Sequence, residues 1–475
     1  MRSDSKLIGL LASIVLVGLL VAVAESRPGY FTNLNILGGL LLLQVVIATI
    51  WHYEQWFFAA MMLSFIWAGT DLPLSGAGSM VRWIFLGVGA FVGVIKWAEH
   101  ERRQNFSTIH LVALLCVLAA VVSSLVSRRP EISLLKSGSF FLLFLYVSCG
   151  GRVAVVGREK AFFAGLVTAC EVIAYFSAIC YWGLHYEVFG NPNSLGAVMG
   201  VAVVPILLWA LLSAEEGQKR QRLGLALLLA AGLLYSSVSR AGILACGMAI
   251  TVMCIALRRH LLFVKGAFAL VFLVAIVAVV QPAKFDALLD SFTEDIIYKG
   301  HAQQGLLGSR EAPWRETMNV IKESPWFGSG FGTDPTLDHQ PTTTGMFSTV
   351  AGLSREHGSS YLALVGYVGL LGLTPFLAML GIVGRYIYSG CASMRRTRDV
   401  TSYSVPLVMV CVAALVHAFF EDWLFAVGFH LTILFWVLVF VLAEMQSGWL
   451  RETRTASRNW NRIAWRVRPV PVTMR

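Results

Sequence analysis

Charge is what this chain has least of. Asp, Glu, Lys and Arg together supply 13% of its 475 residues, hydrophobic types supply 57%, and the mean hydropathy is +0.70. An ordinary soluble domain carries about a quarter charged residues. This chain lacks the polar surface to cover itself in water, which excludes a soluble enzyme. Metal and nucleotide signatures are missing too: there is no His-Glu-x-x-His, no Asp-x-Asp and no Gly-x-Ser-x-Gly. The eight cysteines include no Cys-x-x-Cys pair and lie in apolar runs or at their ends. They read as small apolar residues, not as disulfide or metal ligands. The glycine cluster Gly328-Ser329-Gly330-Phe331-Gly332 has no Lys-Ser/Thr after it and no strand before it, so it is not a phosphate loop. Metal, nucleotide and serine-hydrolase chemistry lose support, and neither a metal nor a cofactor is expected.

Apolar runs are what fill the chain. Leu7 to Ala24, Ile109 to Val126, Ala161 to Gly183 and Leu262 to Val280 approach the ~20 residues that cross a bilayer core. Further runs fall near 34–50, 55–70, 81–98, 132–149, 194–213, 222–238, 240–257, 359–387, 405–420 and 423–443. The pattern predicts an all-α polytopic membrane protein with about 12 to 14 transmembrane helices. Lys and Arg mark the cytoplasmic flanks of spans. Arg102 and Arg103, Arg152 with Arg158 and Lys160, Lys219 with Arg220 and Arg222, Arg258 and Arg259, Arg395 with Arg396 and Arg398, and the tail from Arg451 all fall on one side. That side is read as cytoplasmic, with both termini there and the first span a retained signal anchor. Arg128 and Arg129 fall on the opposite side from this basic set. The net charge of +10 is then mainly a topogenic signal and not a nucleic-acid footprint.

The expected organisation is N-terminal transmembrane helices over 1–184, further spans over 185–280, a large external (periplasmic) loop over 281–358, C-terminal spans over 359–443 and a basic cytoplasmic tail over 444–475. A connection this long is usually functional or disordered, and its mixed composition predicts a folded one. Trp314, Met318 and Ile321 recur at helical spacing between Pro313 and Pro325, as in a short amphipathic helix.

Three residues on the external side stand out. Arg240 lies in Ser236-Ser237-Val238-Ser239-Arg240-Ala241-Gly242, where topology asks for no arginine and the serines and glycine leave room for a ligand. A snorkelling arginine on a turn is the plainer alternative. Arg310, in Leu307-Gly308-Ser309-Arg310-Glu311, offers a planar fork that matches phosphate oxygens; an ion pair with Glu311 is equally open. Arg315 and Arg355 are weaker candidates of the same kind. His357, in Arg355-Glu356-His357-Gly358-Ser359-Ser360-Tyr361-Leu362, could take a proton from a hydroxyl with Glu356 orienting it, or be a solvated loop histidine. Ser359 and Ser360 would cap the span that follows. Glu421 and Asp422 fall at the last external turn, either as a plain turn or as counter-charge to an arginine. Lys136, Glu171, His417 and His430 read as polar contacts between helices.

These segments, in this order, resemble the O-antigen ligase and polysaccharide polymerase superfamily of bacterial inner-membrane proteins. The resemblance runs over roughly 185–440 through Gly190-Asn191-Pro192-Asn193-Ser194-Leu195-Gly196, Ser239-Arg240-Ala241-Gly242, Ser309-Arg310 with Trp314, Ser324-Pro325-Trp326-Phe327-Gly328-Ser329-Gly330-Phe331-Gly332, His357 with Tyr361-Leu362, and Gly369-Leu370-Leu371-Gly372. It implies a glycosyltransferase that needs neither metal nor cofactor. Its donor would be a polyprenyl-pyrophosphate-linked glycan and its acceptor lipid A-core or a growing polysaccharide. Arg240 and Arg310 would hold the pyrophosphate, His357 would be the base, and Asn193, Ser239, Glu356 and Tyr361 would line the substrate site. The family's His-Asn-x-Tyr-Leu is one residue longer here and lacks the asparagine. A secondary transporter would show internal repeats and midplane charges, and a flippase for lipid-linked oligosaccharides would want a charged central cavity; neither pattern is visible. Single-cysteine variants should take up an impermeant maleimide from the external side within 281–358 and not within 444–475; the reverse would overturn the topology.

Overall fold

The computed structural model describes residues 54–71, 75–99, 106–151, 155, 158–189, 191–215, 217–261, 308–333 and 358–446, with isolated positions at 25, 44 and between 264 and 280. Among the described residues every regular element is a helix. In chain order these are α1 (Glu54–Ala68), α2 (Ser75–Glu99), α3 (Thr108–Leu125), α4 (Pro130–Gly150), α5 (Glu159–Gly183), α6 (Pro192–Leu212), α7 (Gly217–Ser236), α8 (Arg240–Ala256), α9 (Gly308–Glu323), α10 (Ser360–Thr397), α11 (Ser404–His417) and α12 (His430–Gln446). Six of them, α2 to α6 and α10, are long and apolar enough to cross a membrane, and α1, α8, α11 and α12 are shorter apolar helices. The chain is thus a polytopic all-α protein. The expected spans at 7–24, 34–50 and 262–280 lie largely outside the described residues.

Two compact units divide the chain: 1–104 with 142–169 and 341–351, and 105–141 with 170–340 and 352–475. In the first, α1 packs on α2, and α2 meets the last turn of α4 through glycines. A Cβ on Gly93 would stand 2.5 Å from the backbone of Gly150, so the two helices approach at backbone distance. Arg82 is buried there, with its guanidinium 5.9 Å from the Phe65 ring centroid and 5.3 Å from that of Trp83.

The second unit holds the residues of interest. Its packing centres on α8 against α11 and on α10 against α3. The start of α6 crosses the start of α8 through Gly196, Gly200 and Gly242. A Cβ on Gly200 would lie 2.3 Å from the Gly242 carbonyl oxygen, so only glycine permits this crossing.

α10 is not one continuous helix. At Gly369 the backbone takes φ 64° and ψ −176°, a conformation essentially confined to glycine. The break leaves carbonyls and amides without helical partners, which hydrocarbon does not tolerate unless protein supplies them. Segment 325–333 supplies them: Ser329 N donates to Gly366 O at 2.8 Å, Gly330 N to Tyr367 O at 3.2 Å, Leu370 N to Pro325 O at 2.8 Å and Leu371 N to Trp326 O at 3.1 Å. The same segment is tied to the α3–α4 corner, where Ser127 Oγ donates to Ser329 O at 2.9 Å, Ser133 Oγ to Phe331 O at 3.0 Å, and Lys136 Nζ to Gly332 O. Phe331 is buried against Phe140 and Phe376, where close ring packing holds the segment in place. The glycine cluster seen in the sequence is therefore a docking strip for a broken helix.

Two boundaries differ from the sequence expectation. α12 begins at His430, seven residues after the expected 423, because Glu421–Phe429 are held in turns; Trp423 N and Leu424 N both donate to Ser360 Oγ at 3.0 Å. α10 runs on to Thr397, ten residues past 387.

Replacing Gly369 by Ala should lower the thermal midpoint of the detergent-solubilised protein sharply, because the new Cβ would lie 2.4 Å from the Trp326 carbonyl on top of a backbone strain of about 1–3 kcal/mol. Gly366→Ala, whose Cβ would find its nearest neighbours at 3.9 Å, should be tolerated. Equal loss in both variants would sink the docking account.

Candidate functional site

α7 and α8 are joined by a turn of three residues. Val238 sits at φ 51°, a left-handed conformation that a β-branched residue rarely adopts. Ser237 Oγ donates to Leu234 O at 2.7 Å and accepts from Ser239 N at 3.3 Å. Ser239 Oγ, the N-cap of α8, accepts from Gly242 N at 3.3 Å. Both serines are buried. Their hydroxyls hold the strained turn closed. Arg240 emerges from that turn as the first residue of α8, half-buried. A cation at a helix N-terminus adds to the positive end of the helix dipole.

α9 carries the second arginine. It spans Gly308–Glu323 with Pro313 inside, so it starts earlier than the prolines suggest. Its buried face is set by Thr317 and Val320, with Ile321 beside them against Gly366 of α10, while Met318 is 41% exposed. The amphipathic face is thus one residue away from the Trp314–Met318–Ile321 register. Trp314 Nε1 donates to Gly358 O at 3.0 Å, which pins the end of the long connection to α9. Arg310 lies near the start of this helix and its NH2 group pairs with Glu421 Oε1. Both side chains are largely buried, with 12% and 18% of their surface exposed. Glu421 is thereby the counter-charge to an arginine, and the turn that holds it is no plain turn. Its carbonyl accepts from Ser360 N at 3.1 Å and Ser360 Oγ at 2.7 Å.

Arg310 and Arg240, seventy residues apart in sequence, come close enough to repel one another. Two guanidiniums and a helix N-terminus of the same sign thus come together, and the Arg310 guanidinium is paired with the Glu421 carboxylate. Lys136 feels the charge of Asp422, and Tyr367 Oη donates to Asp422 Oδ2 at 3.5 Å. His417 accepts at Nδ1 from Trp423 Nε1 at 2.9 Å and lies within reach of the charges of Arg310 and His430. Glu421 and His417 therefore stand near Arg310, and Lys136 stands near Asp422. Their scatter over the sequence, from 136 to 422, hid this.

The remaining candidates divide. Asn193 is half-buried at the start of α6, where its N–H donates to Asn191 Oδ1 at 2.8 Å. α6 and α8 cross beside it, since a Cβ on Gly196 would lie 2.1 Å from Ser239 Cβ. Tyr361 donates its hydroxyl to Leu415 O at 2.8 Å and packs its ring 4.7 Å from Phe419, a structural tie between α10 and α11. Ser359 occupies the N-cap position of α10 but makes no capping bond with its side chain. Arg315 is exposed. Arg355, Glu356 and His357 lie outside the described residues.

Residues 225–377 match the family model described as O-Antigen ligase, a region that contains both arginines, α9 and the break in α10. Over these 153 of its 475 residues the chain is similar to that family. A search of curated proteins found no match.

The ion pair makes the arginine and the glutamate interdependent. In a double-mutant cycle on thermal stability, Arg310→Ala and Glu421→Ala should show a coupling of about 0.5–3 kcal/mol, with the double variant more stable than the sum of the two losses implies. Additive losses would mean that the pair is not formed.

Proposed function

We propose that the chain is a glycosyltransferase of the bacterial inner membrane that moves a glycan from a polyprenyl-pyrophosphate carrier to an acceptor hydroxyl at the periplasmic face. The acceptor is lipid A-core if the protein is a ligase and a growing polysaccharide if it is a polymerase. The observation that carries this reading is the convergence of Arg240 and Arg310, whose charges repel, at the N-terminus of α8. Like charges gathered at a helix N-terminus favour an anion beside them, and Glu421 already pairs with Arg310. A pyrophosphate, with several oxygens and more than one negative charge, is such an anion.

In the reaction the acceptor oxygen attacks the anomeric carbon, the bond from that carbon to the pyrophosphate oxygen breaks, and the electron pair leaves with the polyprenyl pyrophosphate. Negative charge thus builds on the leaving group, where two fixed guanidiniums stabilise it more in the transition state than in the bound donor. His357 takes the proton from the acceptor hydroxyl. Trp314 supports this role from α9, since its hydrogen bond to Gly358 ties the residue next to His357 to the helix that carries Arg310. The donor arrives activated, so the chemistry asks for no cofactor. Ser239 and Tyr361 serve the site by position, through the α8 cap and the α10–α11 tie.

Arg240→Ala, Arg310→Ala and His357→Ala should each cut transfer by about 100-fold or more while the protein remains in the membrane at normal levels. Reconstituted protein, a polyprenyl-pyrophosphate glycan and either lipid A-core or a second lipid-linked repeat form the assay, and the product distinguishes ligase from polymerase. Undiminished transfer by Arg240→Ala would remove the pyrophosphate assignment; donor crossing the bilayer without a new glycosidic bond would point to a flippase.

A further inference from the structure

His417 ends α11 with none of its surface exposed. The indole N–H of Trp423 donates to its Nδ1 at 2.9 Å. An indole nitrogen can only donate, so Nδ1 presents its lone pair, and the neutral ring carries its proton on Nε2. That Nε2 is buried and, among the described residues, makes no hydrogen bond. Native interiors satisfy nearly all such groups, and an unmet donor is costly. Here the donor is not left over from loose packing: a tryptophan is committed to fixing the tautomer that creates it, and Trp423 itself is held by its backbone bond to Ser360 Oγ.

The surroundings indicate what the donor is for. His417 lies one turn before Glu421, whose carboxylate occupies Arg310, and the Arg310 guanidinium is close enough to act on the imidazole ring. A phosphoryl group offers only acceptor oxygens and is best met by several donors at once. Arg240 and Arg310 bring charge to the site. His417 brings a neutral N–H whose direction is fixed by the indole behind it.

We propose that the Nε2–H of His417, held in the donor tautomer by Trp423, is a third hydrogen-bond donor to the pyrophosphate oxygens of the lipid-linked substrate. This rests on the pyrophosphate reading of the Arg240–Arg310 site. It assigns His417 a role separate from that of a base, because in this tautomer Nε2 has no lone pair with which to take the acceptor's proton.

The test uses the full chain in nanodiscs, with a polyprenyl pyrophosphate bearing no glycan as the titrant. His417→Phe should weaken binding by about 10- to 100-fold, and His417→Gln, which restores an N–H near the Nε2 position, should recover most of that loss. Trp423→Phe, which frees the ring to move its proton to Nδ1, should fall between them. In transfer assays the same order should appear in kcat/KM, and thermal midpoints separate lost contact from lost fold. Wild-type affinity in His417→Phe would overturn the inference. So would equal loss in the Phe and Gln variants at unchanged thermal midpoint, or a loss seen only with a glycan-bearing donor. Arg310→Ala is the reference: if it too binds the bare lipid pyrophosphate as the wild type does, the pyrophosphate reading fails, whereas weakening in Arg310→Ala alone overturns only the role of His417.

Discussion

The exchange of backbone hydrogen bonds at Gly369 is the constraint on which the site depends. A helix in an apolar surrounding has nowhere to leave open carbonyls and amides, so the break in α10 holds only while segment 325–333 lies against it. That segment follows α9 directly, so its docking also fixes α9 over the first half of α10 through Thr317, Val320 and Ile321. Arg310 is placed by the start of α9, and Gly358 by the hydrogen bond from Trp314. One backbone exchange thus sets where the second arginine stands and where the long connection re-enters the bundle.

A second constraint works on the other arginine. The glycine crossing of α6 and α8 brings the N-terminus of α8 against the start of α6, and the left-handed Val238 turns the chain tightly enough to project Arg240 from that point. Strain of this kind persists where the surroundings over-determine it, as functional sites do. The glutamate of the α11–α12 connection then neutralises part of the charge that these two devices concentrate. The turn that carries Glu421 is itself anchored to the first residue of α10 by Ser360. Arg240, Arg310 and Glu421 are therefore placed by three separate pieces of packing, each buried and each built from close backbone contacts.

Much of this was legible in advance. The span positions from 55 to 257 and the first residues of α10 follow from apolar runs of membrane length, and nearly all of them match helices within a few residues. Arg240 and Arg310 were visible because they stand outside the basic clusters that flank the other apolar runs. Glu421 was visible only as one of two open readings, since its pairing depends on α9 folding back over α10. His417 and Lys136 gave no signal beyond being polar in apolar stretches. Met318 was assigned to the wrong face because hydrophobic spacing gives the period of a helix but not its rotation against neighbours it has yet to meet.

What the sequence by itself determined is the solvent, the helical architecture and the few charges that topology does not explain. All three follow from composition and local periodicity, because apolar runs, basic flanks and isolated charges are read along the chain without knowing what they pack against. The tertiary structure alone decided which of those charges meet. It turned a glycine cluster into a docking strip, two serines into the ties of a tight turn, and an acidic turn into the counter-ion of an arginine 111 residues away. Such pairings depend on distances between segments remote in the chain, and only packing fixes those.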